Sequence, residues 1–110
     1  MSLDFYLQYE ADGNEITVFD RNITHNLWNM ADKAGIYEAL WRPEEIKAVY
    51  ARDVVERLEA GLEDLNKRPK YYEKFNAENG WGLYEHFVPF VGAVLEACKK
   101  YPSAKIYVSR

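Results

Sequence analysis

The sequence predicts a two-layer α+β domain, a three-stranded antiparallel sheet with about three helices on one face. Three observations carry this reading. Residues 4–10 alternate in polarity and lead into Asp12-Gly13, a pair suited to a tight hairpin turn. Apolar residues recur at helical spacing from Leu27 to Ala34, from Ala51 to Leu65 and from Tyr84 to Cys98. A short alternating run, Lys105–Ser109, closes the chain. Its 110 residues make one domain, 1–110, with a radius of gyration of about 13 Å.

In the first strand Phe5, Leu7 and Tyr9 share one side, and Tyr6 shares the other with Asp4, Gln8 and Glu10. A two-residue turn at Asp12-Gly13 pairs residue 11 with 14 and each step outward in turn. Tyr9 then faces Ile16, Leu7 faces Val18 and Tyr6 faces Phe19. In that register Leu7, Tyr9, Ile16 and Val18 meet the helices, leaving Tyr6, Thr17 and Phe19 on the back of the sheet. With Tyr107 from the last strand, Tyr6 and Phe19 form an aromatic interface through which two copies could pair as a homodimer. The bland alternative is a set of ordinary cross-strand aromatic pairs.

The first helix enters at Thr24, with Asn22 as the alternative cap, and ends at Gly35. Its stripe is Leu27, Met30, Ala31 and Ala34. His25 falls nearly opposite that stripe, on the side of Trp28, Asn29 and Asp32, facing solvent or a groove. Tyr37–Trp41 reads as a helical turn that packs its tryptophan. Arg42-Pro43-Glu44-Glu45 starts another helix, and a break is expected near Lys47–Tyr50. The following helix buries Ala51, Val54, Val55, Leu58, Leu62 and Leu65, and Gly61 within it lets a neighbour come close. Pro69 opens a short helix, and Asn79-Gly80 marks a turn. The last helix, from about Leu83 to Lys100, buries Tyr84, Phe87, Val88, Val91, Val94, Leu95 and Cys98, and Pro89 interrupts its hydrogen bonding. Ile106 and Val108 of the final strand face the core.

The composition narrows the functions. A net charge of −4 opposes nucleic-acid binding, and the one short basic cluster, Lys67, Arg68 and Lys70, follows Glu63 and Asp64. No apolar run reaches the ~18 residues of a membrane span, and no signal segment opens the chain. A cytoplasmic protein with no membrane partner is the expectation. The single cysteine, Cys98, excludes an intrachain disulfide, and the separation of His25 from His86 gives no metal-ligand spacing. No metal and no cofactor are expected.

His25 heads the residues that could carry chemistry. At a helix entrance its imidazole favours the neutral form and could accept a proton, which would make it a general base with Arg42 as an anion holder. That is the reading as a small hydrolase or transferase. No serine or cysteine stands in a nucleophile setting, so covalent catalysis has no support. The leading expectation is a non-catalytic binding or accessory protein. Asn22, His25, Asn26, Trp41, Arg42, Asn79 and Trp81 would line its groove, which would hold a protein or peptide partner or a small ligand. Against the groove stands the simpler reading that Trp28, Trp41 and Trp81 fill the core, with Gly80 and Gly82 letting the third indole in.

Asn22-Ile23-Thr24-His25-Asn26-Leu27, Ala34-Gly35-Ile36-Tyr37-Glu38-Ala39-Leu40-Trp41-Arg42-Pro43 and Asn79-Gly80-Trp81-Gly82 together resemble a set of small proteins of bacteriophage and bacterial genomes. The resemblance covers most of residues 22–98, and Pro89 departs from the pattern. No activity comes with it. It implies a phage or prophage context and a location in the host cytoplasm.

Overall fold

A computed structural model describes residues 2–110. Strand β1 (Ser2–Ala11) and strand β2 (Asn14–Thr24) form the hairpin, and β3 (Lys105–Ser109) pairs with the other side of β1, giving the order β2-β1-β3. All pairings are antiparallel. Between the hairpin and β3 come α1 (Trp28–Lys33), α2 (Tyr37–Trp41), α3 (Val55–Lys67), α4 (Pro69–Glu73) and α5 (Tyr84–Lys100), with 3-10 turns at His25–Leu27, Pro43–Ile46 and Ala51–Asp53. The predicted three-stranded α+β architecture is the one observed. The radius of gyration is 13.7 Å.

Asp12 and Gly13 both take positive φ, 52° and 78°, as the turn requires. The predicted register holds out to Gln8↔Thr17 and then changes. β2 bulges at Val18, so Leu7 faces Phe19 and Tyr6 faces Asp20. One extra residue on β2 reverses which side each later residue of that strand faces. Phe19 therefore leaves the back of the sheet and meets Phe5 edge to face, with ring centroids 6.5 Å apart. The predicted interface of Tyr6, Phe19 and Tyr107 is not formed. What remains on the back is the cross-strand pair Tyr6 and Tyr107 among Asp4, Gln8, Asp20 and Lys105. Asp4, and to a lesser degree burial and Asp20, push the Tyr6 hydroxyl above its usual range. Tyr6 and Tyr107 are the aromatic residues that this face keeps.

The bulge also lets β2 run on. Asn22 and Ile23 belong to the strand, not to a helix entrance, because Ile23 pairs with Leu3 and is buried over the core. Leu3, Phe5, Leu7 and Ile23 make the sheet's contribution to a core completed by Leu27, Met30, Leu40, Trp41, Leu58, Phe87 and Val91. Phe90 joins that core as well, a position the helical stripe of α5 did not include. The loop after Lys47, which takes a left-handed φ of 57°, supports β3: Ile106 N–H donates to Val49 C=O at 2.9 Å, and Ala51 N–H to Ala104 C=O at 2.8 Å. Asp53 braces this loop by accepting from the N–H groups of Val49 and Tyr50, which hold its carboxyl below the usual range. Arg110 latches the end of β3 to the helices, donating to Trp41 C=O and to Glu44.

Where α3 crosses the α1–α2 link, Gly61 makes the close approach. A Cβ there would collide with Ile36 Cγ2 and stand 3.1 Å from the Ala34 carbonyl oxygen. Gly61→Ala should therefore lower stability by a net ~1–2 kcal/mol, the overpacking exceeding the gain in helix propensity. Gly92→Ala in α5 meets nothing within 4 Å and should add up to ~1 kcal/mol. Urea unfolding of both variants checks the pair, and a Gly61→Ala variant as stable as the parent would remove the close packing described here.

Cys98 lies in the core, and burial pushes its thiol up to about 12. A thiol of that kind stays protonated and out of reach, so an aromatic disulfide reagent at a pH of about 9 should fail to label native protein and should label it fully in denaturant.

Candidate functional site

Three segments meet beside the end of β2. The first is the strand end with its helix entrance. Thr24 has extended backbone angles, and its Oγ accepts from the Asn26 N–H at 3.4 Å, which turns the chain from strand into the 3-10 turn His25–Leu27. The second is the loop before α5. Ala77 N–H donates to Gly82 C=O at 2.8 Å, Trp81 N–H donates to Asn79 Oδ1 at 2.9 Å, and Gly80 turns with φ of 77°. Asn76 Oδ1 accepts from the Tyr84 N–H at 2.7 Å and so caps the third segment, α5.

The loop docks on the helix entrance. Asn26 Nδ2 donates to Trp81 C=O at 2.7 Å, and Gly82, with φ of 135°, lies so near that a Cβ would stand 3.0 Å from Asn26 Cβ. Gly82 thus serves backbone approach, and the expectation that it lets the indole into the core is not met. Trp81 is 71% exposed and Trp28 46%, whereas Trp41 is fully buried. Of the three tryptophans only one fills the core.

The result is two adjoining clefts. The larger, about 800 Å³, is lined by Asn22, Thr24, His25, Trp81 and His86. The smaller, about 500 Å³, is lined by Trp28, Asn29, Phe75 and Glu78. Asn26 and Asn79 line both and form the divide between them. The sequence-predicted residues Asn22, His25, Asn26, Asn79 and Trp81 therefore do converge. Trp41 and Arg42 do not line either cleft. Arg42 donates from Nε to the Tyr37 hydroxyl at 3.3 Å and lies 3.8 Å from Glu45. His86, one turn into α5, was missed; its only signal is a polar residue beside the buried stripe of a helix that starts next to Trp81.

His25 reaches the core through its ring. The buried Trp41 Nε1–H donates to His25 Nδ1 at 3.2 Å. An imidazole that accepts at Nδ1 carries its proton on Nε2, so in its neutral form it presents a donor rather than a base. Trp41 stacks on Tyr37 at 5.7 Å, and Tyr37 meets Trp28 edge to face at 6.4 Å. One chain of rings thus links the histidine of the large cleft to the tryptophan of the small one, each contact contributing ~0.5–1.5 kcal/mol beyond burial.

The chain matches no protein-family model, no curated protein and no solved structure. Function therefore has to be argued from the clefts themselves. Among the described residues no three His, Cys, Asp or Glu side chains gather as a metal site, and no helix is long and apolar enough to cross a membrane.

His25→Ala should cost ~1–3 kcal/mol by orphaning a buried indole N–H. In a Trp41→Phe background the same change should cost less, leaving a coupling of about 1 kcal/mol in a double-mutant cycle read by chemical denaturation. Additive effects would mean that the indole–imidazole bond contributes nothing.

Proposed function

We propose that this chain is a non-catalytic binding protein that holds an uncharged partner in the paired clefts. The observation that carries the reading is the lining of the larger cleft, which among the described residues offers amides, hydroxyls, two imidazoles and an exposed indole but no carboxylate and no cationic side chain. Such a surface recognises by hydrogen bonding and contact with an aromatic face, and has little with which to steer a charged ligand. A phage or prophage setting for such a protein is part of this proposal.

The alternative, a hydrolase or transferase with His25 as general base, finds less support. Its base would have to work from Nε2, the protonated nitrogen of the neutral ring, and its anion holder, Arg42, lies outside the cleft among Tyr37 and Glu45. A general base also needs a substrate proton within ~3 Å of a free lone pair.

The test is a comparison of parent and His25→Gln proteins on ester, phosphoester and glycoside reporter substrates, with circular dichroism as the check on folding. No turnover that depends on His25 is expected. Turnover by the parent, lost in a folded His25→Gln variant, would overturn the binding reading in favour of the enzyme.

A further inference from the structure

We propose that the two clefts are neighbouring subsites of one site for a neutral oligosaccharide. The inference rests on the binding reading above and names its ligand. It starts from how the amides of the site are used. Asn22 donates its amide hydrogens to Ser2 Oγ and Asp4 Oδ1, and Asn26 donates to the Trp81 carbonyl. Both keep a carbonyl oxygen with capacity to accept. Asn79 does the reverse, accepting from the Trp81 N–H and keeping its NH2 to donate. Among the described residues each amide thus has one end held by a protein partner and the other without one, so a ligand would find acceptors and donors held in place at little cost in side-chain entropy. His25 adds a donor at Nε2.

A site that offers donors and acceptors in mixture, with Glu78 of the smaller cleft as the one charged side chain among its described lining residues, matches vicinal hydroxyl groups, since each hydroxyl both donates and accepts. Trp81 and Trp28 stand at the surface as flat indoles, one in each cleft. The C–H face of a pyranose ring is flat, weakly electropositive and apolar, and so stacks on the electron-rich face of an indole. An anionic ligand would require the arginines and lysines that the clefts lack. A peptide would instead seek an enclosed apolar pocket for an anchoring side chain. Two clefts that share Asn26 and Asn79, each with its own indole, fit a ligand that repeats.

The probes are soluble neutral tetrasaccharides of glucose, mannose, galactose and N-acetylglucosamine, their monosaccharides, and a set of uncharged extended peptides. The readout is the indole N–H resonances of the protein, assigned with Trp81→Phe and Trp28→Phe. At least one tetrasaccharide should move both surface indole signals and leave that of Trp41 in place. Its monosaccharide should bind about tenfold more weakly or less, because it fills one subsite. Trp81→Ala should weaken tetrasaccharide binding about tenfold with an unchanged melting temperature, and Trp81→Tyr should restore part of it. Peptides moving these signals while every sugar fails would overturn the sugar assignment and keep the binding reading. Silence from both sets would overturn both. Equal affinity for monosaccharide and tetrasaccharide would refute the pairing of subsites.

Discussion

The architecture depends on one extra residue in β2. Ten residues of β1 are matched by eleven of β2, and the surplus is absorbed at Val18, between Gln8↔Thr17 and Leu7↔Phe19. Without it, Phe19 would stand in solvent beside Tyr6, and Arg21 and Ile23 would exchange faces with their neighbours. With it, Phe19 and Ile23 join Phe5 and Leu3 under the helices, and the back of the sheet is left polar. The long β2 edge is managed by the same device, since a bulge and charged residues such as Asp20 and Arg21 discourage pairing with another chain. The other edge is covered by the loop that pairs Tyr50 with Lys105.

The strand end delivers the candidate site. Because β2 continues to Thr24 before the chain turns, His25 and Asn26 emerge at the rim of the sheet and not within a regular helix. Asn26 then becomes the point where the Asn79–Gly82 loop is fastened, through one hydrogen bond and a contact that only glycine permits. The clefts are consequences of that fastening. Behind them the rings of His25, Trp41, Tyr37 and Trp28 run through the protein, and the loop is held to α5 by Asn76. A second rigid corner, in which Arg68 pairs with Asp64 and lies over Tyr71 while Tyr72 bonds Asp64, secures α3 to α4. It is structural and faces neither cleft.

Much of this was legible from residues alone. Local chemistry determined the Asp12-Gly13 turn, the Thr24 cap, the left-handed Gly35 after α1, the break at Lys47 and the third strand at Lys105–Ser109, because each rests on preferences within a few residues. Periodicity identified the buried stripes of α1, α3 and α5, since one apolar face has to meet the core. Even the gathering of Asn22, His25, Asn26, Asn79 and Trp81 could be anticipated from their polarity and aromatic character. Tertiary structure alone decided the rest. A bulge leaves no local mark in a run such as Thr17-Val18-Phe19, where either register keeps apolar residues on a face, and only the demands of Leu3, Phe5 and Ile23 across the sheet select one. The same holds for the three tryptophans and Arg42: an indole is equally at home in a core or on a surface, and its place depends on which distant segments pack beside it.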